Sequence, residues 1–508
     1  MVAARGHGRG RQPGGRMTAS EVDVVVVGSG PNGLAAAVTL ARAGLGVRVL
    51  EAQPTAGGGA RTVPGLVPGV VHDQCSAVHP MALASPFFRR FDLAARGVEL
   101  VTPEVSYAQP LPDGRAALAL RSLDRTVDEL GPDGPAWRAL MEPLVEHADA
   151  VVGAVLGDHR RLPRDLVTAI RFGLRTLEQG VAPLWGRRFR GEEAPALLTG
   201  VASHAITPLP SLPAAGTALL LGTLAHATGW CIPRGGTATI TDALVADLRA
   251  HGGEVVVDSP VRTRADLPQA RAYVFDTTPA TVARVLGDRM SPRVRRELLG
   301  FRHGNGAAKV DLVLSGPVPW THPDVGRAGT VHLGGTRAEM VATERAVAAG
   351  RHSRHPMVLL SDPSVVDPSR VGPGGVRPLW TYAHVPAGSP RDMTDAVLDE
   401  LERFAPGVRD LVVAAQCVPA SRMEQHNANY VGGDIAAGTI TMRRMLVGPR
   451  WQLDPYDVGV PGAYLCSAAT PPGPGVHGMA GWHVARRVLR DRFGVHHPPD
   501  LRPSPARG

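Results

Sequence analysis

Val22 to Thr62 reads VDVVVVGSGPNGLAAAVTLARAGLGVRVLEAQPTAGGGART, and this stretch decides the fold. Val24 to Val27 is an unbroken β-branched run, the pattern of a parallel strand buried on both faces. Gly28, Gly30 and Gly33 follow as GxGxxG, with Ser29, Pro31 and Asn32 between and beside them. The first glycine suits a tight turn, the second lets backbone approach a pyrophosphate, and the third lets the next helix pack closely. That helix is expected from about Pro31 to Ala43. Proline stands in its first turn and Gly44 follows its end, so its free N–H groups and dipole can hold an anion. Gly46 to Leu50 reads as a second strand, and Glu51 stands at its end, 51 − 33 = 18 residues past the last glycine. A carboxylate there, with Ala52 beside it, accepts hydrogen bonds from ribose hydroxyls. Strand, glycine turn, helix, second strand and terminal acid in register specify a dinucleotide site in an α/β domain.

Gly57, Gly58, Gly59 and Arg61 come directly after the second strand. Their spacing resembles the GG(x)nR element of the flavoprotein amine oxidase and phytoene desaturase superfamily. The resemblance implies FAD rather than NAD, with Gly58 and Gly59 passing close to the diphosphate and Arg61 fixing the loop. Leu66 to Leu93 is similar to a segment of phytoene dehydrogenase-like oxidoreductases and carries His72 and His79. Two histidines seven apart are read either as structural rings or as neighbours of the flavin, and neither is assigned to the chemistry.

Gly473, Gly475 and Gly478 formally spell a second GxGxxG between an expected strand, Tyr464 to Ala468, and an expected helix, Met479 to Leu489. Too little chain remains for a second nucleotide domain. The resemblance makes this the C-terminal flavin element, with Gly475, Val476, His477, Gly478 and Met479 against the isoalloxazine and the helix N-terminus stabilising reduced flavin. Pro474 stands where relatives often have glycine. The resemblance also sets Val261 at the adenine side, after a helix and strand within Gly235 to Val261. It assigns Lys309 to catalysis, because related flavin amine oxidases use a lysine on the corresponding strand to hold a water beside the flavin N5. A compact ammonium suits that task better than a guanidinium. The loop from His426 to Asp434 matches the same group, and either lines the cavity or braces the chain.

Three pieces of FAD-binding chain separated by other sequence imply an α/β fold: a discontinuous Rossmann-like domain with an inserted α+β substrate domain. The expected division is a disordered basic tail over 1–20 and FAD-binding pieces over 21–95, 231–290 and 456–490. Substrate-domain pieces occupy 96–230, helical and apolar, and 291–455, a mixed sheet; a disordered tail covers 491–508. At 508 residues the chain is long enough for such a core. The formal charge of +8 owes four units to Arg5, Arg9, Arg11 and Arg16, and Lys309 is the only lysine among 54 basic residues. That bias argues for coding composition rather than nucleic-acid binding. The tail lacks the apolar core of a secretory signal, and the chain starts at Met1 or at Met17. Four isolated cysteines suit a reducing cytoplasm, and no metal spacing occurs.

Arg164 to Glu178 places Leu166, Ile170, Leu174 and Leu177 on one side of a helix and Arg164, Arg171 and Arg175 on the other. It is either a solvated surface helix or a peripheral contact with an anionic bilayer. Ala194 to Pro233 holds no Asp, Glu, Lys or Arg, but prolines interrupt it and its helical part, Ala214 to Thr228, is too short to span a bilayer.

The resemblance implies an FAD-dependent oxidoreductase similar to phytoene desaturases and to the pyridine nucleotide-disulfide oxidoreductase domain 2 group. Its partners would be an apolar, isoprenoid or carotenoid-like substrate and an acceptor such as oxygen or a quinone. The alternatives are a flavin amine oxidase, for which Trp380, Tyr382, Tyr430 and Trp482 are the candidate cage aromatics, and a non-catalytic lipid carrier like the GDP dissociation inhibitors.

Overall fold

The computed structural model describes residues 22–503, so the tail expected over 1–20 lies outside the described residues. Five strands form a wholly parallel sheet in the order Ala463–Leu465, Ala272–Phe275, Val24–Val27, Val47–Leu50, Glu254–Val256. Val24–Val27 lies at its centre and is buried throughout. Val24 and Val26 enter the core shared with helix Pro31–Arg42, while Val25 and Val27 enter the core on the other face. Burial on both faces is why the run is β-branched without polar alternation.

A second sheet has seven strands in the order Val412–Val418, Gly306–Leu314, Arg377–Val385, Val358–Ser361, Thr330–Leu333, Val105–Pro110, Ala116–Leu120. Its pairings are antiparallel except that between Thr330–Leu333 and Val105–Pro110. Strands of the parallel sheet thus come from three separated parts of the chain, and those of the second sheet from the two intervening parts. The long charge-free run becomes helices Glu193–Ala202 and Leu212–Ala227, packed against each other and largely buried. No helix among the described residues is long and apolar enough to cross a membrane.

Helix Met479–Phe493 packs along helix Pro31–Arg42. A Cβ on Gly481 would lie 1.8 Å from the Asn32 carbonyl oxygen, so glycine lets the two helices meet near their N-termini. The chain expected to be disordered from 491 corrects that expectation. The helix runs on to Phe493, Leu501 is buried, and Arg42 and Arg96 donate to the carbonyls of Asp500, Leu501 and Arg502. Arginine forks satisfying backbone carbonyls leave no apolar periodicity in the tail itself, so the sequence carried no sign of the attachment.

Candidate active site

A cavity of about 780 Å³ runs from the carboxyl ends of the parallel strands to the face of the second sheet. At the first end Gly28, Ser29, Gly30, Pro31 and Asn32 line it, and Glu51, Ala52 and Val261 stand across from them. Gly58, Gly59 and Arg61 form the next part of the wall, and Gly475 and Val476 come from the C-terminal element. Gly33, His477, Gly478 and Met479 lie behind the wall.

The glycine turn is tight against one residue that the sequence reading did not single out as a ligand. A Cβ on Gly30 would lie 2.5 Å from Asp276 Oδ2, and one on Gly28 would lie 2.7 Å from the Asp276 carbonyl oxygen. Gly33 instead needs its hydrogen to clear the Gly28 carbonyl oxygen, 2.3 Å from the position of a Cβ. Asp276 follows strand Ala272–Phe275, and its Oδ2 accepts from the Gly33 amide at 2.9 Å. Burial, opposed by that hydrogen bond and assisted by the Glu51 charge, pushes its carboxyl up to about 7.

Glu51 sits at its strand end with Oε2 accepting from the Ser29 amide at 2.9 Å and Oε1 from the Gln53 amide at 2.9 Å. Its orientation is therefore fixed while it faces the cavity. Asn32 carries a buried side-chain carbonyl oxygen without a partner in the same wall. Gly58 has φ +56° and passes so close to Gly30 that a Cβ would lie 2.8 Å from its Cα. Arg61 donates from Nε to the Gly58 carbonyl at 2.8 Å and from its guanidinium to the His426 carbonyl. It ties the glycine loop to the His426–Tyr430 segment, which also lines the cavity.

The C-terminal loop is held by His477. Its Nδ1 accepts from the Met479 amide at 3.0 Å, which leaves Nε2 to donate to the Gly473 carbonyl at 3.2 Å. Burial drives this ring's pKa down to about 4, so it is neutral at neutral pH. His477 shapes the loop from inside while Pro474, Gly475 and Val476 face the cavity.

Towards the second sheet the wall is Val78, Met81, Leu221, Leu359 and Ile435, with the rings of Trp230, Trp380, Tyr382 and Tyr430. Trp380 and Tyr382 meet edge to face with centroids 5.2 Å apart. The charged lining residues, Glu51, Arg61, Arg262, Asp276 and Arg284, all belong to the parallel-sheet end and its loops. His79 is in the wall, bonded through Nε2 to Thr237 at 2.9 Å and driven by burial to a pKa of about 4. His72 is not; it lies 3.2 Å from Asp311. Lys309 is buried, with its ammonium on Asp311 and 5.2 Å from the Trp380 ring centroid, and it stands behind the wall rather than in it. Burial alone would raise Asp311, but the Lys309 ammonium and His72 hold it below its ordinary value. Trp482 is likewise buried, beneath Arg90 and Arg486.

The sequence reading gave no role to Asp276, Gln53, His204 or the segment from Cys75 to Val78, whereas His79, one of the two histidines it set beside the flavin as one alternative, does line the cavity. Of these only Asp276 carried a signal, as the residue just after a short apolar strand, Ala272–Phe275, that pairs with the strand leading into the first glycine turn. Among the described residues no cluster of His, Cys, Asp or Glu could hold a metal.

A glycine cradle, a ribose-facing carboxylate, a second glycine loop and a C-terminal element around one cavity define a flavoprotein oxidoreductase, and the residues fit FAD. The model of the flavin containing amine oxidoreductases matches residues 32–489, and the chain belongs to that family. Over 93% of this chain and 94% of its own length, the rat pyridine nucleotide-disulfide oxidoreductase domain-containing protein 2 is 25% identical. Hydroxyneurosporene desaturase of Rhodobacter capsulatus is 60% identical over 45 residues, 9% of each chain. The cyclohexylamine oxidase of Brevibacterium oxydans shares the fold, with a TM-score of 0.58 at 17% identity over 92% of this chain and 99% of that one.

Proposed function

We propose that this FAD-dependent oxidoreductase is a desaturase-type dehydrogenase acting on an apolar, isoprenoid or carotenoid-like substrate. The observation that carries the reading is the uncharged substrate end of the cavity. No Asp, Glu, Lys or Arg lines it between the aromatic pair and Leu221, so a protonated amine would lose its hydration there without a counter-charge. Bound FAD supplies the hydride acceptor, and a molecular acceptor such as oxygen or a quinone reoxidises it. The chain's own contribution is to orient and to exclude water. Trp380, Tyr382 and Leu359 supply an apolar wall for the substrate, and the neutral His79 and His204 add no charge that would be stranded. Such a substrate is stored in lipid, so the reading includes a protein that works at a membrane surface without crossing it.

Anaerobic bleaching of the flavin against a panel of isoprenoids and amines tests the proposal. Reduction by an isoprenoid and by no amine is the expected result, whereas reduction by amines alone would replace it. The amine reading keeps one specific observation in its favour, since Trp380, Tyr382 and Tyr430 all line the cavity. A purified protein that stays colourless after FAD is added would favour the lipid-carrier alternative.

A further inference from the structure

Helix Leu166–Gly180 is packed inside out. Thr168, Thr176 and Gln179 are buried, on the side that meets helix Leu212–Ala227. Ile170 and Leu174 are each 61% exposed, and Leu166, Val167 and Leu177 share their face. The stripe extends at both ends, to Leu162 at 82% exposure before the helix and to Val181 and Leu184 after it. Across the Arg160–Asp454 ion pair, at 2.6 Å, it adjoins a loop that holds Trp451 at 71% and Leu453 at 93% exposure. Isolated exposed leucines need no explanation, but a continuous apolar face on a helix whose polar side is buried does.

Arginines outnumber the acids beside this face. Arg160, Arg175 and Arg188 are paired with Asp454 or Glu178. Arg161, Arg164, Arg171, Arg187 and Arg190 have no carboxylate within ion-pair distance among the described residues. Arg171 flanks the apolar stripe one turn on from Val167, at 3.6 residues per turn, and Arg164 stands exposed just before the helix begins.

We propose that this face docks the protein on an anionic lipid bilayer. Ile170, Leu174, Leu162 and Leu453 enter the boundary between headgroups and acyl chains, Trp451 sits at headgroup level, and the free arginines meet lipid phosphates. A second copy of the chain is the poorer occupant. A two-fold contact through the same face would set one arginine flank against the other, while Glu178 and Asp454 are already engaged by Arg175, Arg188 and Arg160. The docked helix backs onto helix Leu212–Ala227, whose Leu221 lines the cavity. That gives the docking a purpose, and only the purpose rests on the apolar-substrate reading.

The test is co-sedimentation of the full-length, FAD-loaded protein with vesicles of phosphatidylcholine, with and without phosphatidylglycerol. Binding is expected on the anionic vesicles, weaker on the neutral ones, and falling with added salt. The double change Ile170→Glu, Leu174→Glu should weaken it by about tenfold or more, and Arg164→Gln and Arg171→Gln by about fivefold each. All four positions lie at the surface, so flavin absorbance and melting temperature should stay at the parent values. Equal binding to neutral vesicles, or none to either kind, would overturn the proposal. So would a dimer on a sizing column that Ile170→Glu, Leu174→Glu dissociates while the vesicles pellet nothing. The measurement involves no substrate, so a failed bleaching assay leaves it intact, and the reverse holds too.

Discussion

The Gly33 amide and the Asp276 carboxyl, 243 residues apart, meet at 2.9 Å in the first turn of helix Pro31–Arg42. A helix N-terminus in a dinucleotide fold offers its amides to a diphosphate. Here one of those amides already holds a carboxyl that burial pushes up to about 7, so the charge beside the glycine turn is expected to change near neutrality.

Asp276→Asn is therefore expected to flatten the pH dependence of FAD binding. The native site should bind FAD more weakly at pH 8 than at pH 6, because the ionised carboxylate repels the diphosphate beside Glu51. The sign for stability follows from the same shift. The folded pKa lies above the unfolded value of 3.8, so the stability this group contributes is complete below about pH 4 and is lost as pH rises through 7. The variant should melt higher than the parent at pH 8 and close to it at pH 4. Apoprotein titrated with FAD and thermal melts across this range measure both, and a parent affinity that is flat from pH 6 to 8 would dismiss the coupling.

Gly481→Ala should loosen the meeting of the two helices that carry the glycine elements. Its Cβ would press on the Asn32 carbonyl at 1.8 Å, and backbone cannot swing aside as a side chain can. Overpacking of this kind costs about 1 to 3 kcal/mol. Asn32 lines the nucleotide end, so FAD should be lost on dilution faster than from the parent. Flavin retention after gel filtration, together with denaturant midpoints, reads both effects.

Arg370→Met should destabilise by about 3 to 5 kcal/mol, because it strands a buried charge. Arg370 donates to Asp73 Oδ2 at 3.0 Å and to the Val71 carbonyl at 3.0 Å, and both ions are buried. Asp73 also accepts from the Thr62 hydroxyl and the Thr237 amide, so its orientation is already set by strand Thr62–Pro64 and by the start of helix Ala238–Ala250. A denaturant titration of Arg370→Met against the double change with Asp73→Asn checks it, since the double variant should recover part of the loss.

The glycine elements were legible because each needs a local conformation or a close approach that only glycine permits, and Glu51 because strand, helix and strand fix its place. Much of the remaining wall was not. Leu221 and His204 come from helical chain, Leu359 from a strand of the second sheet and Trp230 from the loop after helix Leu212–Ala227, and ordinary core residues look the same in sequence. The helix Leu166–Gly180 presented the converse difficulty. Its amphipathic period was plain, but period alone does not say which side faces the protein, and here buried threonines and a glutamine took the inner side.

Lys309 was assigned to chemistry by resemblance, and its place behind Trp380 makes a separable test. Lys309→Met alone leaves Asp311 buried without its cation, which should cost about 3 to 5 kcal/mol. Lys309→Met with Asp311→Leu removes both charges and should recover most of that stability. If the lysine only balances Asp311, the double variant should reduce its flavin with substrate at the parent rate. If the ammonium also holds a water at the flavin, stability should return while the rate of flavin reduction or reoxidation stays depressed by about tenfold or more, in the range of a positioned proton-transfer group. Stopped-flow half-reactions on both variants, run beside their denaturant midpoints, divide the two roles.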